Sequence, residues 1–164
     1  MSDNDGSKAL DVWRSMVAAK ASMNRITRPT LCDHGLTAAQ FGVLRVVGDA
    51  GDQGIKLSEV GGRLFVTCGN VTGLVDRLEE SGLLVRDDHP DDRRAILAKL
   101  TSSGRLLYED IVPRHRARVS RIMACLSTAE MEMLVDLLWR IKESADSYVE
   151  PAAEAASMSA PQAE

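Results

Sequence analysis

Val71-Thr72-Gly73-Leu74-Val75-Asp76-Arg77-Leu78-Glu79-Glu80-Ser81-Gly82 is the stretch on which the fold turns. Val71, Leu74, Val75 and Leu78 stand at i, i+3, i+4 and i+7, which predicts a helix with one apolar stripe. At about 100° per residue, Gly69, Gly73 and Asp76 come opposite that stripe, with Asn70, Thr72 and Arg77 on the flanks. Each glycine costs such a helix about 1 kcal/mol against alanine. A face of glycine and small polar groups is poor for stability and well suited to very close approach by another body.

Working outward, Leu57–Leu64 predicts a short helix with Val60 and Leu64 as its apolar contacts. Phe65 and Val66 join it to the next helix, for which Thr67 is the expected cap, and the pair reads as a helix-turn-helix. On the other side, Gly82 sits where a helix end wants positive φ. Leu83–Arg86 and Ile96–Leu100 are strand-like, separated by the charged stretch Asp87–Ala95, long for a loop that only reverses the chain. Taken alone it is a solvated charged loop; directly after a helix-turn-helix it reads as a projecting wing. Pro90 stiffens its start and places Arg93 and Arg94 near the tip, and an arginine there suits the negative potential of a narrow minor groove. Ile55 and Lys56 add one rung to the hairpin.

The flanks are helical. Leu10, Trp13, Val17 and Ala21, widened by Met16 and Met23, predict a helix over Ser7–Leu31, with Pro29 expected to end or kink it. Thr37 and Gln40 form a capping box before Phe41, Leu44 and Val47, and Gly48–Gly54 is expected to end that helix in a turn-rich loop. Thr101 caps a helix running to about Leu126, with a kink at Pro113. Ser127 and Glu130 open another, to about Tyr148, whose stripe is Met131, Leu134, Val135, Leu138 and Ile141. Residues 1–6 and 150–164 read as disordered, leaving one domain over 7–149. Its core spans about 36–101, and the helices at about 7–31 and 102–148 flank it. The fold class is mainly α with a small β-hairpin.

The 164 residues, 45% hydrophobic and 27% charged with few aromatics, fit a soluble domain of packed helices. No apolar run approaches the roughly 18 residues of a membrane span, and the polar start lacks a signal-peptide core. Three scattered cysteines make no disulfide framework, so a cytoplasmic location is expected. The net charge of −4 argues against a nucleic-acid partner, yet Ser127–Glu164 alone carries −6, leaving +2 on the rest. Arg105, Arg114, Arg116, Arg118 and Arg121 are the densest basic run. There is no Gly-rich phosphate loop, His-Glu-x-x-His or Gly-x-Ser-x-Gly, so an enzyme is not expected, nor is a cofactor or metal.

Leu74–Arg86, Pro90-Asp91-Asp92-Arg93-Arg94, Leu100-Thr101 with Gly104, and Leu36-Thr37 with Gln40, Phe41 and Leu44 together resemble the MarR family of winged-helix transcriptional regulators. The resemblance extends from about Leu10 to Tyr148. It implies a winged helix-turn-helix core plus terminal dimerisation helices, in a homodimeric regulator, commonly a repressor that leaves an inverted-repeat operator when a small, often phenolic, molecule binds. On that pattern the partner is double-stranded DNA. The expected DNA-binding residues are Lys56, Thr67, Gly69, Asn70, Thr72, Gly73, Arg77, Asp92, Arg93 and Arg94. Lys56 and Arg77 suit phosphate, Asn70 can pair with adenine, and Asp76 is expected to orient a basic neighbour such as Arg77 or Arg94. The resemblance places Leu10, Trp13, Val17, Met131, Leu134, Leu138 and Ile141 at the dimer interface. It makes Trp13, Met16, Met23, Phe41 and Arg45 the candidate contacts of the small-molecule effector.

Two alternatives stay open on the residues themselves. One is a redox- or metal-responsive regulator using Cys32, near His34; Cys68 reads instead as a packed core thiol. The other, motivated by the acidic tail, is a winged-helix module that binds protein and not DNA.

Overall fold

Thr37 and Ser127 each open a helix with a complete capping box. The Thr37 hydroxyl accepts from the Gln40 backbone and the Gln40 side chain accepts from the Thr37 backbone, and Ser127 and Glu130 repeat the exchange. The structure, a computed structural model, describes residues 3–64, 68–90 and 92–148. Phe65, Val66 and the expected cap Thr67 lie outside the described residues, as do the tail and the side chains of Cys68 and Arg93.

The described elements are α1 (Asp3–Cys32), α2 (Ala38–Asp49), a 3-10 turn (Gly51–Gln53), β1 (Ile55–Lys56), α3 (Leu57–Leu64), α4 (Cys68–Glu80), β2 (Leu84–His89), β3 (Asp92–Leu100), α5 (Ser102–Met123) and α6 (Thr128–Asp146). The described residues up to Ile122 form one compact unit and those from Met123 another; α6 belongs to the second. The sheet is antiparallel in the order β1-β3-β2, with Ile55 opposite Ala98 and Lys56 opposite Leu97, the single rung expected of that dipeptide.

α2 is the centre of the first unit. Phe41, Val43, Leu44, Val46 and Val47 are all buried, more than one stripe, because helices and sheet surround it. Val71, Leu74, Val75 and Leu78 of α4 pack into the same core with Val60, Leu84, Ala98, Ile111 and Val112. At about 1.5–3 kcal/mol for each large side chain buried, the four α4 residues outweigh the cost of its two glycines. The helix then closes at Gly82, φ +68°, in a Schellman turn: Leu83 donates its N–H to the Leu78 carbonyl and Gly82 to that of Glu79, both at 2.9 Å.

Three sequence expectations change. α1 begins at Asp3, earlier than predicted, and runs through Pro29 to Cys32. Leu31 is buried in the core and Leu36 donates back to its carbonyl at 2.9 Å, so packing and a turn at Gly35 end the helix, not the proline. Gly48 is helical rather than the start of a loop, and the Tyr108 ring lies over it, so that a Cβ there would sit 2.2 Å from that ring. The stretch Asp87–Ala95 is not a long loop. β2 continues to His89 and β3 starts at Asp92, so only residues 90 and 91 separate the strands.

Candidate nucleic-acid interface

The outward side of α4 is bare. Gly69, Asn70, Thr72, Gly73 and Arg77 are exposed, as the spacing predicts. A Cβ built on Gly69 or Gly73 would meet nothing within 4 Å, whereas one on Gly104 would fall 1.9 Å from the Leu83 carbonyl oxygen. Among the described residues, packing therefore demands glycine at 104 and not at 69 or 73.

The wing carries the second group. Asp88 lies opposite Ile96, but the next pair is His89 opposite Asp92, so Arg93, Arg94 and Ala95 are extra residues on β3. Such an irregularity re-aims the strand near the tip. Asp92 organises it: its carboxylate accepts from the Arg94 N–H at 3.1 Å, and the Lys56 ammonium lies 3.5 Å away. The Arg94 amide first and Lys56 after it hold the Asp92 carboxyl below its ordinary range, partial desolvation opposing. Lys56, Asp92 and Arg94 are thus brought together at one end of the sheet. The backbone of Arg93 is in β3, and its side chain is outside the described set.

Charge pairing separates the cations. Arg105 pairs with Asp52, Arg114 with Asp110 (2.6 Å) and Arg116 with Asp49 (3.5 Å), while Arg118 donates to Thr30. The densest basic run is therefore largely committed within the chain. Arg77 and Arg94 are exposed, and among the described residues no carboxylate forms a salt bridge with either guanidinium.

Asp76 does not orient Arg77 or Arg94. It accepts from Arg86 of β2 at 2.6 Å, and Glu79 takes the other arm of the same guanidinium. Burial disfavours the charged Arg86, but its hydrogen bonds and charge contacts with Asp76 and Glu79 outweigh that and raise its pKa. Sequence reading missed Arg86. The available signal was two carboxylates spaced i, i+3 on a helix that turns back beneath a following strand.

A profile of the MarR family matches residues 34–95. Over 141 residues the chain is 33% identical to the HTH-type transcriptional regulator MhqR of Bacillus subtilis (strain 168), covering 86% of this chain and 96% of that relative. The chain belongs to the MarR family. It is therefore a transcriptional regulator and not an enzyme. Its fold is similar to that of a cysteine-to-serine mutant of MarR from E. coli complexed with operator DNA, with TM-score 0.71 and 27% identity over 82% of this chain and 95% of that one. It is also similar to BpsR of Bordetella bronchiseptica, whose DNA binding is regulated by 6-hydroxynicotinic acid, with TM-score 0.69 and 32% identity over 80% and 92%.

In this MarR-family chain the effector candidates divide. Trp13 is exposed on α1 at 64%, and Met16 and Met23 are half-buried there. Phe41 is buried on α2 with its ring 4.7 Å from that of His115. Arg45 is not buried: it is part-exposed and donates to Asp49 at 3.1 Å. Asp49 also accepts from the Tyr108 hydroxyl at 2.6 Å, a bond that raises the phenol pKa, burial adding to it. α2 and α5 therefore run antiparallel along a polar seam, Phe41 against His115, Gly48 and Asp49 against Tyr108. Burial pushes the His115 pKa down, helped by the positive charges of Arg45 and Arg118.

The expected dimer residues are placed as follows. Leu10, Trp13 and Val17 of α1 are exposed, as are Leu134, Leu138 and Ile141 of α6; Met131 is half-buried. Cys32 and Cys125 are exposed thiols, and among the described residues no group of three or more His, Cys, Asp or Glu could hold a metal. No described helix is long and apolar enough to cross a membrane.

Proposed function

We propose that this MarR-family regulator is a homodimeric repressor whose α4 and wing grip an inverted-repeat operator, and that an aromatic acid releases it. The observation that carries the reading is the open space at Gly69 and Gly73. Helix stability disfavours glycine there, and nothing among the described residues needs it. An outside surface that must come within backbone distance explains both.

On this reading Gly69 and Gly73 let α4 sink into the major groove, where Asn70 and Thr72, with Thr67, contact base edges or phosphates. Arg77 and Lys56 position on phosphate, and Arg94, aimed by Asp92 and flanked by Arg93, enters the minor groove. Two-fold symmetry then calls for half-sites about 10 bp apart. A second copy covers the apolar side chains that α1 and α6 leave exposed, among them Trp13, Val17, Leu134, Leu138, Trp139 and Ile141. Large exposed apolar faces of this kind mark interfaces.

For the effector, the His115 ring, backed by the buried Phe41, lies beside the cations Arg45 and Arg118, a setting that suits a flat ring bearing a carboxylate. Met16, Met23 and Trp13 belong to the same reading. The regulation of BpsR by 6-hydroxynicotinic acid, a hydroxylated aromatic acid, supports that chemistry. The protein acts on this view in the cytoplasm.

The test is a gel shift on the promoter region of the protein's own gene against random DNA, repeated with a panel of small aromatic acids. Selective retention of the promoter fragment, lost with at least one acid, is expected. Equal binding to both DNAs at low salt would overturn the repressor reading in favour of a protein-interaction module.

A further inference from the structure

Arg86 occupies the joint between the two elements to which the proposed function assigns DNA contact. It is the third residue of β2, opposite Ala98, and its side chain is about three-quarters buried. Three bonds leave it for α4. Its backbone N–H donates to one oxygen of Glu79 at 3.1 Å, one guanidinium nitrogen donates to the other oxygen of Glu79, and the second reaches Asp76 at 2.6 Å. Asp76 and Glu79 stand one turn apart on α4, and the chain between them and Arg86 reverses through Gly82.

A glycine-hinged turn by itself leaves the angle between a helix and the next strand soft. The three bonds close a small ring across that hinge. Its planar, two-pronged guanidinium can bridge two carboxylates at fixed spacing, which a lysine ammonium, a single point of charge, cannot. The ring also halves the negative charge of two carboxylates on the helix that must face phosphate, one guanidinium against two carboxylates.

We propose that Arg86 is a positioning residue for DNA binding: without touching DNA, it holds the wing at the angle at which Arg94 and the glycine face of α4 reach the same duplex. The inference rests on the wing contact proposed above, and the experiment separates the two.

DNA affinity is measured by fluorescence anisotropy on the promoter fragment for the wild type, Arg94→Ala, Arg86→Met and the double variant, each with its thermal midpoint and salt dependence. Arg94→Ala alone is expected to weaken binding about tenfold and to lower the salt slope by about one. If Arg86 acts through the wing, the same Arg94→Ala change in the Arg86→Met background costs under about twofold, because the wing no longer engages. Arg86→Met itself lowers the salt slope although Arg86 meets no phosphate, and Arg86→Lys fails to restore it.

Equal losses from Arg94→Ala in both backgrounds overturn the positioning role while leaving the wing contact standing. No loss from Arg94→Ala in the wild type overturns the wing contact instead. Full rescue by Arg86→Lys also overturns the proposal, since charge neutralisation alone would then suffice. Should Arg86→Met not fold, Glu79→Gln, which keeps an acceptor and drops the charge, replaces it in the same cycle with the same two outcomes.

Discussion

The Asp92 carboxylate accepts the backbone N–H of Arg94 at 3.1 Å, so a negative group close to the proposed DNA surface is tied to the cation meant for DNA. Simple electrostatics and this geometry predict opposite signs. Removing a carboxylate near phosphate should tighten binding; removing the residue that shapes the wing and pairs with Lys56 should weaken it. Asp92→Ala is expected to weaken DNA binding, with Asp92→Asn, which keeps an acceptor, in between. An Asp92→Ala protein that binds DNA more tightly would show that the carboxylate only repels.

Gly69→Ala and Gly73→Ala are expected to separate stability from function. Each added methyl enters open space on a helix, so the thermal midpoint should rise, by the equivalent of about 0.5–1 kcal/mol per site. DNA affinity should fall on the order of tenfold, the scale of one lost base-edge contact. Circular dichroism and anisotropy on the same samples measure both. Unchanged affinity in both variants would remove the close-approach argument.

Gly104→Ala should behave in the contrary way. Thr101 donates to the Gly82 carbonyl at 2.6 Å and accepts from the Gly104 N–H at 3.0 Å, which draws the start of α5 onto the end of α4. A Cβ at 104 would meet the Leu83 carbonyl, a clash that only backbone movement relieves. A loss of about 2 kcal/mol in chemical denaturation is expected. Wild-type stability for this variant would mean that the α4–β2 turn is softer than described.

His115 carries a pH dependence whose sign follows from its surroundings. Burial, with Arg45 and Arg118 nearby, lowers its pKa from the ordinary 6.5. Between the folded and unfolded values the unfolded chain holds the extra proton, so this contribution is complete above about pH 6.5 and is lost as the pH falls below it. His115→Phe keeps a ring against Phe41 and cannot titrate. Its stability should fall less than the wild type's between pH 7.5 and 5.5, the difference bounded by one proton, about 1.4 kcal/mol per pH unit. Parallel pH profiles for the two proteins would rule out this role.

Much of the fold was legible because local rules and burial agreed. The stripe at Val71, Leu74, Val75 and Leu78 has the helical period and packs as that period requires, and the capping boxes at Thr37 and Ser127 satisfy their own amides within four residues. The bare face of α4 followed from the same arithmetic. Pairings across long sequence separations were not legible. The i, i+3 spacing of Asp76 and Glu79 hints at a shared cation but does not by itself choose Arg86 over Arg77, and nothing near Asp87 says that Lys99 across the hairpin, at 2.7 Å, helps carry the strands through what composition marks as a loop.

The sequence by itself determined the order of helices and strands, the buried stripe of α4 and the presence of a wing. Periodicity, caps and turn residues act over a few residues and need no other part of the chain. Tertiary structure alone decided which charges are committed and which remain outward. Arg105, Arg114 and Arg116 belong to the densest basic run of the sequence and each meets a carboxylate, while Arg94, which the sequence already marks at the wing, stands exposed with its backbone held by Asp92. A charge acquires its role from the partner that folding brings within about 4 Å, and sequence spacing does not encode that distance.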